Sequence, residues 1–385
     1  MAIRVNPGFI DVLDRFGAED VKLCYQCGDC STVCPHADDV YRFPRKSMRL
    51  LQMGLSQKID TTLEPWLCYY CGQCSEQCPR EADPGETMMS LRRWLISRYD
   101  LTGIAGSFFR SRSTEIIAVA VTAIITGVFF LYYGFSGGNI AIYDGDGAFL
   151  PSTFIHRFDL TLGAILALFL ISNAIHMWYL TMIRGTLVPV PWWLYLTQFY
   201  ELPWHFFTQK RYADCEKKRQ HPVFMPWLIH LGLMLGYVTM LVLVMVFIEK
   251  LQAGPAINWQ VHIFGYFATI GLVAGTIYFI RSRIIKKYTQ YKKSHGTDWV
   301  FVVLLFLIVI TGIIQHIFHR TGLSEAANIT YIIHLMAVVP WLLRMPFSKW
   351  SHLIYRPLAM YFAAIRREAL LRHETIAQST PVFIK

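Results

Sequence analysis

Eight of the nine cysteines fall into two copies of one spacing, and thiolates so spaced suit one kind of chemistry. Cys24, Cys27, Cys30 and Cys34 precede Pro35; Cys68, Cys71, Cys74 and Cys78 precede Pro79. Each copy reads C-x2-C-x2-C-x3-C-P, a run in which three thiolates bind one [4Fe–4S] cubane and the fourth ligates a second. Thiolates at i, i+3 and i+6 wrap three irons, and the Cys-Pro step turns the chain toward the neighbouring cluster. The expected sets are Cys24, Cys27, Cys30 and Cys78 for cluster 1, and Cys68, Cys71, Cys74 and Cys34 for cluster 2. Tetrahedral zinc on paired C-x2-C is the main competitor. It requires neither a third evenly spaced cysteine nor the trailing proline. A disulfide framework needs an oxidising compartment, which the charge distribution described below argues against. Cys215 is left over and reads as an ordinary free thiol.

A second set of chemistry-bearing residues lies in apolar sequence. The chain has 13 histidines, and ionisable side chains inside membrane spans are rare and mark function. Neutral imidazoles on facing helices bind haem iron axially. His334 and His352 are five helical turns apart, which on one continuous helix sets them on one face roughly 27 Å apart. Pro340 and Pro346 lie between them and bend that helix. His230 matches His352 in depth, and nearby Gly232 lets a flat macrocycle approach. For the outer site His334 needs a partner. His262 fits best, with His316, His319 and Met240 as alternatives. His176 would bond a backbone carbonyl or line the inner pocket; His156, His205, His221 and His295 read as interfacial.

These residues require elements to position them. The chain of 385 residues is 54% hydrophobic and only 16% charged, the composition of a membrane protein. A spanning helix needs about 20 mostly apolar residues. Six segments qualify: Ile116–Phe135, Leu160–Met182, Phe224–Phe247, Ile263–Ile280, Trp299–Phe318 and Ile329–Leu343. Met1 leads straight into Arg4, Asp11 and Asp14 without a signal-peptide core, so the N-terminal domain is expected to stay where it was made. Lys and Arg concentrate between spans two and three (Lys210, Arg211, Lys217, Lys218, Arg219) and between spans four and five (Arg281, Arg283, Lys286, Lys287, Lys292, Lys293). That asymmetry predicts a cytoplasmic cysteine domain and C-terminus. It also accounts for the net charge of +10 without nucleic-acid binding, since the basic residues flank spans.

The fold class expected is an N-terminal α-helical two-[4Fe–4S] ferredoxin-like domain followed by an all-α membrane bundle of six transmembrane helices. Residues 1–105 form the cluster domain, 106–115 a linker, 116–357 the membrane domain with its cytochrome core at 158–357, and 358–385 a cytoplasmic tail. Helices follow each cysteine motif, over Pro44–Leu55 with Met48, Leu51 and Leu55 on one face, and over Glu86–Leu95. A hundred residues make a thin core, so the clusters are expected to supply much of the folding free energy. Prolines and aromatics from Pro189 to Phe207 fit a segment at the headgroup level and a docking ledge for the cluster domain.

The first hundred residues resemble the small iron–sulfur subunit of archaeal heterodisulfide reductase, through both C-x2-C-G-x-C-x3-C-P motifs and the Leu50–Leu55 helix between them. Residues 158–367 resemble the dihaem membrane subunit of respiratory nitrate reductase. His334-Leu335, Pro346-Phe347-Ser348-Lys349 and His352-Leu353-Ile354-Tyr355-Arg356-Pro357 follow its last-helix pattern, and Leu228–Leu233 its inner-haem helix. Where that family has a second histidine ten residues after the first, this chain has Met240. The whole is similar to the membrane subunits of quinone-interacting membrane-bound oxidoreductase complexes of sulfate reducers. The resemblance implies two haems b, a menaquinone site, flavin- and iron–sulfur-bearing cytoplasmic partner subunits, and exchange of electrons with adenylylsulfate reductase. The chain would be one subunit of a quinone oxidoreductase of the cytoplasmic membrane, not an enzyme alone. Its quinone site is expected near Gln260, His262 and His334. The rival readings are a heterodisulfide-reductase-type quinone- or methanophenazine-linked carrier with another soluble partner, and a non-catalytic membrane anchor.

Overall fold

The computed structural model describes residues 4–136, 150, 152–218, 225–252 and 257–379, and among them there is no strand. Six helices are long and apolar enough to cross a membrane: Arg112–Ser136, Ser152–Ile183 with a π-helical last turn, Met225–Gln252, Trp259–Ile285, Gly296–Arg320 and Ser324–Leu343. Each contains the apolar run expected of it; Phe224 lies outside the described residues. Ile125, Val128, Leu168 and Ile270 point outward without protein cover. A bilayer solvates such side chains, while the helix satisfies its own backbone groups.

Spans three and four form a close pair because glycines let the backbones meet. A Cβ at Gly271 would come within 2.5 Å of the Gly232 carbonyl oxygen, and one at Gly236 within 2.7 Å of the Ala268 oxygen. Spans five and six form a second pair, and the first span packs against the sixth. Glu115 and Arg344 join those last two as a buried ion pair, 0% and 4% exposed. Arg344→Ala strands the Glu115 carboxylate in an apolar setting and should cost about 3–5 kcal/mol. Denaturant unfolding in detergent would read it; a midpoint within error of wild type would show the pair to be dispensable.

The chain after the sixth span departs from the sequence expectation. His334 and His352 do not share one helix. The sixth span ends at Leu343, two 3-10 turns follow (Met345–Phe347 and Lys349–Ser351), and a separate helix runs from His352 to Ser379. Pro346 sits in the first turn and Ser348 is extended (φ −127°, ψ −173°), so the helical ladder is broken rather than bent. Residues 106–115, expected as a linker, belong to a short helix (Ile104–Arg110) and the first turn of the first span.

The cluster domain contains the helices expected, Arg45–Gln52 and Pro84–Tyr99, with Met48, Leu51 and Leu55 buried. Its core does not stop at its own residues. Trp66, Tyr99 and Tyr355 of the last helix are all fully buried, with ring centres 5.3–5.4 Å apart across the Tyr355 contacts. Met177 and Leu180 of the second span and Phe362 and Ile365 of the last helix belong to the same apolar cluster. The membrane part thus adds apolar burial to what the clusters contribute.

Candidate functional site

The two cysteine motifs adopt one backbone pattern twice. Gln26 and Gly28 are left-handed (φ 67° and 101°), as are Tyr70 and Gly72 at the matching positions (φ 54° and 86°). Each glycine turns the chain into a short helix, Asp29–Thr32 or Gln73–Glu76, that carries the third cysteine of its motif. The thiols of Cys24, Cys27, Cys30 and Cys78 act on one another electrostatically, and Cys34 falls with Cys68, Cys71 and Cys74. Cys34, Cys68, Cys71 and Cys74 ring a cavity of about 20 Å³.

A single tetrahedral zinc would draw four sulfurs to about 2.3 Å from one point. Among the described residues no group of three or more His, Cys, Asp or Glu side chains converges on a single-ion site. Burial pushes the Cys30 thiol up to about 11 and that of Cys34 up to about 12, so iron must displace their protons on binding. Cys27 is exposed, whereas Cys68 and Cys74 are buried. The second set faces the bundle, and the first is nearer solvent.

Three segments of the membrane part grip the cluster domain. His36 donates Nε2–H to the Arg211 carbonyl at 2.8 Å, and Tyr69 stacks on Tyr212 with ring centres 5.7 Å apart. Thr289 donates to Glu76 at 2.8 Å, while Lys293 pairs with Asp20 and lies 3.6 Å from Asp83. From the last helix, Arg356 donates to the Cys68 carbonyl at 3.0 Å and lies over the Tyr69 ring. The basic loops read as a topological signal therefore also make docking contacts. The expected aromatic ledge is two short helices, Trp193–Thr197 and Glu201–Thr208, with Trp192, Trp204 and Phe207 exposed.

Between cluster domain and bundle lies a cavity of about 250 Å³ whose wall includes His230, His352, Tyr237 and Phe279, with Arg283, Lys349 and Arg356. The ring centres of His230 and His352 are 6.2 Å apart. An iron held by two imidazole Nε2 atoms sets ring centres roughly 6 Å apart, with bonds of about 2.0 Å and about 1.1 Å from nitrogen to ring centre. Both rings are also oriented from behind. His230 donates Nδ1–H to Gln209 Oε1 at 2.8 Å, and His352 donates to the Lys349 carbonyl at 2.6 Å. Metal-ligating histidines are held this way, which fixes the tautomer and leaves Nε2 for the metal. The pair fits a flat iron macrocycle, and the surrounding cations suit its carboxylates.

The residues expected around the outer site are distributed differently. His334 donates Nδ1–H to Thr311 Oγ1 at 2.9 Å, a hydroxyl that already donates to the Leu307 carbonyl, and its ring also bonds the Ile308 backbone. His262 is buried, donates to the Asn258 carbonyl at 2.8 Å, and presents Nε2 to Arg320. Its ring lies 5.7 Å from His316, whose Nε2 meets Tyr266 Oη at 3.2 Å. His262 and His316 thus form a polar cluster with Tyr266 and Arg320, separate from the ring contacts of His334. Met240 shares an apolar cluster with Val309 and Ile313, the turn that flanks Thr311. Gln260 is exposed on the first turn of the fourth span. His176 bonds the Tyr99 carbonyl at 3.1 Å.

Gln209, Tyr212, Thr311, Tyr266, Arg320 and Arg356 escape a sequence reading. Only Arg356 carries a local signal, one helical turn after His352.

Residues 20–82 match the family described as 4Fe-4S dicluster domain. The chain is thus an iron–sulfur domain for two [4Fe–4S] clusters followed by six candidate membrane-spanning helices. It is further similar to a heterodisulfide reductase subunit-like protein of Archaeoglobus profundus, 32% identical over 102 residues, which is 26% of this chain and 54% of that relative. The match therefore spans about half the length of the curated relative. No solved structure matches the chain.

Proposed function

We propose that this chain is the electron-transfer membrane subunit of a respiratory complex. It exchanges electrons between menaquinone in the cytoplasmic membrane and cytoplasmic flavin- and iron–sulfur-bearing partner subunits, linked to adenylylsulfate reductase. Two haems b and the two [4Fe–4S] clusters, when bound, supply the one-electron carriers that polypeptide lacks. Cluster 1 is held by Cys24, Cys27, Cys30 and Cys78, and cluster 2 by Cys68, Cys71, Cys74 and Cys34. His230 and His352 hold the inner haem, and His334 contributes to the outer one. The N-terminal domain and C-terminus lie in the cytoplasm.

The observation that carries this reading is a continuous contact from one site to the other. The ring of His230 meets Tyr212 edge-on at 5.8 Å, Tyr212 stacks on Tyr69, and Tyr69 follows the cluster cysteine Cys68. Tyr69 is buried, and Tyr212 and His230 are half-buried. A simple anchor has no need of paired imidazoles in contact with a cysteine loop. At the far end of the bundle, Tyr266 and His316 form a hydroxyl–imidazole pair able to hold and pass the protons that quinol oxidation releases. The similarity to the Archaeoglobus profundus protein favours a second reading, the same relay with a heterodisulfide-reductase-type soluble partner.

The test is an optical and elemental one on the purified intact chain. It should hold about eight non-haem irons in two four-iron clusters and two haems b, whose reduced bands grow on adding a menaquinol analogue and fade with a soluble acceptor. A colourless or zinc-bearing chain would overturn the proposal. The choice of soluble enzyme that reoxidises the reduced chain separates the two readings.

A further inference from the structure

Cys215 lies far from both motifs in sequence yet ends up at the second cluster set. It sits on the helix Lys210–Lys218, between the second and third spans, and is 2% exposed. It lines the same small cavity as Cys34, Cys68, Cys71 and Cys74, and its thiol is hydrogen-bonded to that of Cys71. The helix is fixed there independently, by the Tyr212 stack on Tyr69 and the His36 bond to the Arg211 carbonyl. A fifth buried thiol at a four-thiol site is surplus to ligation.

We propose that Cys215 is a positioning residue for the second cluster: it donates an S–H hydrogen bond to the Cys71 thiolate and raises that cluster's reduction potential. Two physical reasons support the direction. Reduction adds negative charge to the cluster and its sulfurs, and a donor to a thiolate stabilises the reduced form more than the oxidised. Burial keeps water from substituting for the lost donor. The thiol belongs to the membrane part, so the potential of this cluster reports whether the cluster domain is seated on the bundle. Cluster 1 has no such thiol, and the nine cysteines are all accounted for. The inference rests on the cluster reading alone and does not require the haems.

The test uses the intact chain in detergent, with an EPR-monitored redox titration and an iron and sulfide count on wild type, Cys215→Ala and Cys215→Ser. In Cys215→Ala the iron count should equal that of wild type, and the midpoint of one cluster should fall while the other stays. Cys215→Ser keeps a donor and should lie between wild type and alanine. Unchanged midpoints in Cys215→Ala at full iron content would overturn the proposal. Loss of four irons in both variants would overturn it too, since Cys215 would then hold the cluster rather than tune it. A wild-type chain without clusters would instead overturn the cluster reading itself.

Discussion

In the His352→Ala variant the haem content should fall from about two per chain to about one, while both iron–sulfur signals should persist. On the proposed reading, the rings of His230 and His352, 6.2 Å apart, hold one haem together, so losing either should abolish its site. His352 begins its own helix beyond a broken turn, so the truncation leaves the six spans in place. Menaquinol should then reduce the clusters no faster than in a haem-free control. Gln209→Leu is the graded counterpart: it spares the ligand, removes its orienting acceptor, and should weaken haem retention about 10- to 100-fold. A pyridine haemochrome count with EPR reads both variants. Two haems retained in His352→Ala would refute the ligand assignment.

Loss of Cys74 should halve the non-haem iron, from about eight to about four, and disconnect what remains. Cys74 is buried among Cys68, Cys71 and Cys34, on the side where Tyr69 and Arg356 join the cluster loop to the His230 and His352 elements. Cluster 1 survives in Cys74→Ala, but menaquinol should not reduce it. Cys27 belongs to the outward set and is exposed. Cys27→Ala loses the same amount of iron, yet menaquinol should still reduce the remaining cluster, and only delivery to a soluble acceptor should fail. Freeze-quench EPR distinguishes the two patterns. Identical behaviour of the two variants would contradict the order of the carriers.

Much of this was legible from local rules. The two cysteine motifs and the six apolar runs each depend on residues adjacent in sequence, and the six runs are realised as helices. The break between Leu343 and His352 was foreshadowed by Pro340 and Pro346. Pro340 nevertheless sits inside the sixth span, and the ladder fails only at the second proline. The outer site was less readable. Matching depth pointed from His334 to His262, but depth says nothing of rotation about a helix axis. His262 instead meets His316 across a different face. Gln209, Tyr212 and Cys215 lie on a loop that read as a basic connector; their roles arise when that loop folds back onto a domain roughly 140 residues upstream.

The apolar interior shared by Trp66, Tyr99 and Tyr355 has a consequence for biogenesis. Tyr355 leaves the ribosome about 250 residues after Tyr99, which at about 5–20 residues per second is on the order of 10–50 s later. Throughout that interval the cysteine loops lack the last helix that closes over them, and Cys68 has no Arg356 against its carbonyl. The cysteine loops are thus uncovered on the nascent polypeptide during that time. Synthesis of the final helix then covers them.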